Sequence, residues 1–220
     1  MVDWTEIDTV LLDMDGTLLD LHFDNHFWLH HLPTRYAEIK GMPVAEAISY
    51  LKADIQGFEG TLEWYCVDFW SERLNIDISA LKREIKDKIA LRPDTTPFLK
   101  WLGETGKRRI LITNAHRKSL DIKLGETQLD RHLDRLISSH DYRAPKESAA
   151  FWHQLQQEEG FNPDRALFID DTARILTFAK QHGIGHVLGI HQPDSRILRK
   201  MIEHPAIDDF HEIMPPINTR

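Results

Sequence analysis

Short apolar runs, each ending on a polar side chain, alternate with amphipathic stretches through most of this 220-residue chain. The first run, Thr9 to Leu12, is β-prone and goes straight into Asp13. An almost uninterrupted apolar run of that length suits a strand buried on both faces of a parallel sheet. Arg109–Thr113, Arg135–Ser138, Ala166–Ile169 and His186–Ile190 repeat the pattern. Helical stretches lie between them. Thr96-Pro97 reads as an N-cap followed by proline at the first helical position, with Phe98, Leu99 and Leu102 facing a core and Gly106 closing the helix. Glu147 to Glu159 and Thr172 to His182 read as helices stopped by Gly160 and Gly183. Such alternation predicts a doubly wound α/β domain, a parallel sheet covered on both sides.

Residues 21–91 have a different texture, with no strand-like run. Phe27–Leu32 suggests one helix, stopped or bent by Pro33, and Ala45, Ile48 and Leu51 a second with Pro43 near its start. Leu62, Tyr65, Cys66, Phe69 and Arg73 follow the spacing of one buried helical face, and Leu81, Ile85 and Ile89 that of another. Trp64 falls off the Leu62–Cys66–Phe69 stripe, so it is free to cover a partner or a ligand. The organisation expected is an α/β core from 1–20 and 92–220 with an inserted helical bundle at 21–91.

Composition narrows the function classes. A hydrophobic content of 41% with 28% charged residues is that of an ordinary globular chain. The formal charge of −8 argues against a nucleic-acid-coating surface, which needs clustered Lys and Arg, yet leaves room for a small phosphorylated substrate. The single cysteine, Cys66, precludes an intramolecular disulfide. No apolar run approaches a membrane span, and the first residues do not read as a signal peptide, so a cytoplasmic protein is expected.

In open parallel sheets, ligands bind beyond the carboxyl ends of the strands. The residues falling there are Asp13 and Asp15, Thr113 and Asn114, and Asp170 and Asp171, with Lys146 in a returning loop. Two carboxylates about 4 Å apart repel by roughly 4 kcal/mol at an effective dielectric near 20, so Asp13 and Asp15 need a cation or a shared proton. A small cluster of hard oxygen donors describes a Mg²⁺ site. A hydroxyl, an amide and an ammonium group suit the oxygens of a phosphoryl group.

Together these motifs resemble the haloacid dehalogenase superfamily of phosphohydrolases: Asp13-x-Asp15-Gly16-Thr17, a strand ending in Thr113-Asn114, Pro145-Lys146, and a strand ending in Asp170-Asp171. The helical insertion after the first motif is similar to the bundle-type cap of one subclass, over a Rossmann-like core. The resemblance implies that Asp13 is the nucleophile and Asp15 the general acid and base. It implies that Thr113, Asn114 and Lys146 bind phosphate. It also implies that Asp13, the Asp15 backbone carbonyl, Asp170 and Asp171 hold Mg²⁺. Within the superfamily the chain resembles bacterial purine 5′-nucleotidases acting on GMP and IMP, through Asp24-Asn25 with Phe27-Trp28, Trp64-Tyr65-Cys66 through Trp70, Thr113 through His116, and Gln192 through Ser195. Candidate specificity residues are therefore Asp24, Asn25, Trp28, Trp64, Tyr65 and His116. Sugar-phosphate and phosphoglycolate phosphatases or mutases would share the same catalytic residues.

Overall fold

The structure, a computed structural model, describes residues 2–214. Six parallel strands form one sheet in the order β3-β2-β1-β4-β5-β6: β1 Thr9–Leu12, β2 Arg108–Thr113, β3 Arg135–Ser138, β4 Ala166–Asp170, β5 His186–Ile190 and β6 Ala206–Ile207. The first five match the apolar runs. The two-residue β6 offers too short a pattern to be read from sequence. β1 sits between β2 and β4, with Leu12 opposite Leu111 and Ile169, so the residues that follow these three strands leave the sheet at one level. All four β1 side chains are buried, as the unbroken apolar run demands.

Residues between β1 and β2 supply the helices α1 His22–His26, α2 Leu32–Lys40, α3 Val44–Ile55, α4 Leu62–Tyr65, α5 Val67–Leu74 and α6 Ile78–Glu84, with a π-helical turn at Phe27–His31. Pro33 neither stops nor ends a helix here. The backbone stays helical through His31 and Leu32, and the wider π turn that precedes it, in which the Leu32 N–H donates to the Phe27 carbonyl, accommodates the proline within the helix. The stripe read across Leu62–Arg73 is broken as well. Cys66 is extended (φ −83°, ψ 107°), its sulfur accepts the Phe69 N–H at 3.4 Å, and a new helix starts beyond it. That break rotates the buried face to Val67, Trp70 and Leu74, and Arg73 turns outward to Asp54 at 2.8 Å. Phe23, Phe27, Tyr36, Leu51, Trp70 and Ile78 are among the residues of a hydrophobic cluster separate from the two that cover the sheet faces. At roughly 1.5–3 kcal/mol for each large apolar side chain removed from water, such a cluster offsets much of the chain entropy lost in ordering the insertion.

The insertion is entered and left through adjacent strands of chain. Leu19 and Leu91 form an antiparallel bridge, the Asp20 N–H donates to the Ala90 carbonyl, and the Arg92 N–H donates to the Leu18 carbonyl, both at 2.9 Å. The remaining helices, α7 Thr95–Glu104, α8 Arg117–Thr127, α9 Ala149–Glu159 and α10 Ala173–Gln181, connect the strands. α7 begins before the expected Thr96 cap. Asp94 (φ 62°) is its N-cap, and Pro97 occupies the third position, where a backbone donor is still unneeded. α8 has no clear apolar stripe and could not be read from its pattern. No described helix is long and apolar enough to cross a membrane.

Candidate active site

The ends of β1, β2 and β4, with the loop before α9, converge on a buried cluster. Lys146 Nζ stands 2.5 Å from Asp13 Oδ1 and 2.7 Å from Asp170 Oδ2, and all three side chains are almost wholly buried. Burial presses the Lys146 ammonium toward neutrality, but Asp13 and Asp170 outweigh it and hold its pKa above the ordinary lysine range. The carboxyls respond oppositely. Burial raises Asp13 and Asp170 to about 6 each and Asp171 to about 7, with carboxylate neighbours adding to the rise and Lys146 opposing it.

Asp13, Asp170 and Asp171 present oxygens within 4.8 Å of one another. Opposite ligands on an octahedral Mg²⁺ stand about 4.2 Å apart, so the spacing and the all-oxygen donor set fit a hard divalent ion. The two neighbouring aspartates are engaged differently. Asp170 accepts from Lys146 through one oxygen and from the Thr172 N–H at 2.7 Å through the other. The Asp171 carboxylate accepts a 3.3 Å bond from the Thr172 hydroxyl, with Arg199 at 3.7 Å, while Arg199 donates to the Asp171 backbone carbonyl. Gly16 is what lets the first loop pass Asp171. Its φ is +87°, and an added Cβ would lie 2.8 Å from Asp171 Cγ and 2.9 Å from Pro193 Cβ.

Asp15 lines the same cavity but is not part of that trio. Its carboxylate meets Lys123 Nζ at 2.7 Å, and the same ammonium reaches Asp24 Oδ2 at 2.6 Å, while Asp24 Oδ1 takes Lys82 at 2.9 Å. This chain of alternating charges runs from the core (Asp15, and Lys123 on α8) into the insertion (Asp24 on α1, Lys82 on α6). Burial pushes Asp15 up to about 6, with Asp24 and Asp13 adding to the rise and Lys123 opposing it. Burial raises Asp24 too, but Lys123 and Lys82 overcome it and keep that carboxyl below the usual range.

Thr113, Asn114 and Lys146 lie together as the sequence suggested, in unequal roles. The Asn114 amide is engaged within the protein: Oδ1 accepts the Lys146 N–H at 2.9 Å and Nδ2 donates to Glu147 at 2.9 Å. Glu147 also accepts the Tyr65 hydroxyl at 2.8 Å, tying the insertion to the loop that carries Lys146.

A cavity of about 710 Å³ opens above the cluster. Asp13, Lys146 and Asp171 are on its floor, and Trp28, Trp64 and Tyr65 are on the side supplied by the insertion. That volume is within the roughly 300–1,000 Å³ of pockets that take small organic ligands. Asp24 and Asn25 also line it, yet both are already bonded, Asp24 to its two lysines and Asn25 through Nδ2 to Asp194 at 2.7 Å. His116 is placed elsewhere. It caps α8, its ring edge-on to His140 with centroids 4.8 Å apart, and Cys66 joins that pair.

Three residues of the site carried no signal in the sequence. Lys123 lies on α8, Lys82 on α6, and Glu147 follows Lys146 as an ordinary acidic residue. Their importance comes from long-range contacts that no spacing along the chain encodes.

The geometry accords with what comparison with known proteins gives. A family model described as haloacid dehalogenase-like hydrolase matches residues 7–183. The chain belongs to this family. It is 45% identical over 217 residues, 98% of each chain, to the protein named GMP/IMP nucleotidase YrfG in Escherichia coli, and equally to that of Shigella flexneri. Among solved structures, a phosphatase of the family from Thermococcus onnurineus superposes with a TM-score of 0.78 at 22% identity, covering 94% of this chain and 96% of that one. That likeness extends to the fold. The chain is thus a hydrolase of the family, with the α/β core and inserted helices that its sequence pattern implies.

Proposed function

We propose that this enzyme hydrolyses phosphomonoesters through an aspartyl-phosphate on Asp13, and that its substrates are the purine nucleoside 5′-monophosphates GMP and IMP. The observation carrying the reading is the Asp13–Lys146–Asp170 cluster on the floor of a cavity whose other wall is aromatic. The floor offers an ammonium group and a hydroxyl to phosphoryl oxygens, and the tryptophans and tyrosine of the insertion offer ring faces to a base. Identity of 45% to proteins named GMP/IMP nucleotidase supports the choice of purine.

In the first step an Asp13 oxygen attacks phosphorus and the P–O bond to the ester oxygen breaks. The electron pair goes to the leaving oxygen, which takes its proton from Asp15. In the second step water attacks the phosphorus of the acyl phosphate, Asp15 accepts the water's proton, and phosphate leaves with Asp13 restored as a carboxylate. A carboxyl held near 6 can serve in both directions at neutral pH. Lys146 keeps Asp13 ionised and faces the phosphoryl oxygens, with the Thr113 hydroxyl beside it. Asn114 acts through Lys146, fixing its backbone.

A Mg²⁺ ion would be held by Asp13, Asp171 and the Asp15 backbone carbonyl, while Asp170 positions Lys146. Bound there, it would offset the charge between nucleophile and phosphate. Residues 21–91 serve as a cap, with Trp28, Trp64 and Tyr65 stacking on the base. The test is a panel of nucleoside monophosphates, sugar phosphates and phosphoglycolate assayed with Mg²⁺. GMP and IMP should give the highest kcat/KM. A sugar phosphate or phosphoglycolate exceeding them tenfold would refute the purine reading and leave the phosphatase reading standing.

A further inference from the structure

Outside the catalytic cluster the chain assembles a second group of ligand-type side chains, Cys66, His116 and His140, whose donor atoms all lie within 4.8 Å of one another. They come from three separate places. Cys66 is the extended residue between α4 and α5 in the insertion. His116 lies just beyond β2 and His140 just beyond β3. Thr113 and Ser138 are opposite one another in the parallel register of these strands, so three residues on from one and two on from the other the chain brings both imidazoles to the same edge. The insertion then lowers its only thiol onto them.

The donor atoms have free valences. His140 Nε2 is buried without a hydrogen-bond partner among the described residues. His116 uses Nδ1 to accept the Lys118 N–H at 3.4 Å, which leaves Nε2 for the cluster, and that atom faces Asp68 Oδ2 at 3.8 Å. The Cys66 sulfur holds only a 3.4 Å contact from the Phe69 N–H. A ring nitrogen without a protein partner is free to bind a ligand.

The geometry points to a binding site for a borderline divalent cation of the Zn²⁺ type, held by Cys66 Sγ, His116 Nε2 and His140 Nε2, that fastens the insertion to the core. One thiolate and two imidazoles are a zinc donor set, unlike the all-oxygen aspartate cluster, and water or the Asp68 carboxylate can take the fourth position. Ligand atoms of tetrahedral zinc stand about 3.3–3.6 Å apart, so side-chain rotations of about an ångström close the site. Two ligands belong to the core and one to the insertion, so the ion would bridge them much as the Tyr65–Glu147 bond does.

Co²⁺ is the probe that tests this, because Cys66 is the single cysteine of the chain and a thiolate-to-cobalt charge-transfer band can have only one source. The full-length protein, with Mg²⁺ in excess to fill the aspartate cluster, is titrated with Co²⁺ and followed by absorption. One equivalent should produce the charge-transfer band with the visible bands of tetrahedral cobalt, and Zn²⁺ should abolish both. Cys66→Ser keeps an oxygen to cap α5, and should retain wild-type melting and turnover while losing the band. His140→Ala should weaken Co²⁺ binding at least tenfold. Absence of the band in the wild type would overturn the proposal, as would a His140→Ala variant that binds Co²⁺ through the thiol as tightly as wild type.

Discussion

Gly16→Ala tests how tightly the first loop is fitted against the aspartate cluster. The substitution adds one methyl group where φ is +87°, a region that costs an L-residue about 1–2 kcal/mol. The methyl carbon would also sit 2.8 Å from Asp171 Cγ, 2.9 Å from Asp171 Oδ2 and 2.9 Å from Pro193 Cβ, well inside contact distance. Overpacking of that kind costs about 1–3 kcal/mol more. The total loss is therefore about 2–5 kcal/mol, or a fall in Tm of roughly 4–20 °C for a chain of this size. Gly160→Ala separates the two contributions. Gly160 has φ +59° at the end of α9 and nothing within 4 Å of an added Cβ, so it reports backbone strain alone, about 1 kcal/mol after the lost freedom of the unfolded chain is credited. Urea denaturation gives both stabilities, and turnover against Mg²⁺ concentration gives the half-saturation point. Gly16→Ala should be the less stable of the two and should need at least tenfold more Mg²⁺, because the methyl group displaces Asp171. Equal destabilisation of the two variants with unchanged Mg²⁺ dependence would refute the reasoning.

Four further outcomes are expected. Asp13→Asn should abolish turnover while leaving the circular dichroism spectrum intact, since an amide cannot attack phosphorus, and residual activity within tenfold of wild type would exclude the covalent route. Lys123→Met removes a charge-assisted bond worth about 1.5–3 kcal/mol from Asp15. The Asp15 carboxyl should rise above about 6, and because Asp15 must carry a proton to release the leaving oxygen, the descending limb of the pH profile of kcat/KM should move about one to two units to higher pH. Lys123→Arg should restore the limb, and one that stays put in Lys123→Met would mean that this lysine does not set the Asp15 proton. Chelation with EDTA and dialysis should remove activity and Mg²⁺ should return it; a rate that survives exhaustive dialysis would rule out the metal-binding reading of Asp13 and Asp171. Trp64→Ala should raise KM for GMP more than for nitrophenyl phosphate, because stacking is lost without touching the chemistry. A large drop in Tm with an unchanged KM ratio would instead make Trp64 a packing residue.

The sheet and the residues at its carboxyl edge were legible in the sequence because their information is local. A strand buried on both faces must be apolar throughout, so β1, β2, β3, β4 and β5 appear as runs, and their ends mark where Asp13, Thr113 and Asp170 emerge. Gly16 was visible for a similar reason, as a residue type that one backbone conformation requires. The insertion was recognisable as helical but misread in detail. A period of 3.6 cannot register that the extended Cys66 breaks a stripe, or that a π turn carries the helix through Pro33. Lys146 was placed beside Asp13 by its motif, but the second chain of charges was beyond the sequence. Lys123 meets Asp24 across 99 positions, and an isolated lysine carries no pattern that names its partner. Only the packing of α1, α6 and α8 around Asp15 decides that Asp24 braces two lysines, and only the adjacency of β2 and β3 places His116 beside Cys66 and His140. The sequence dictates what each strand end offers, whereas the neighbours it meets depend on how the sheet and the insertion fold over one another.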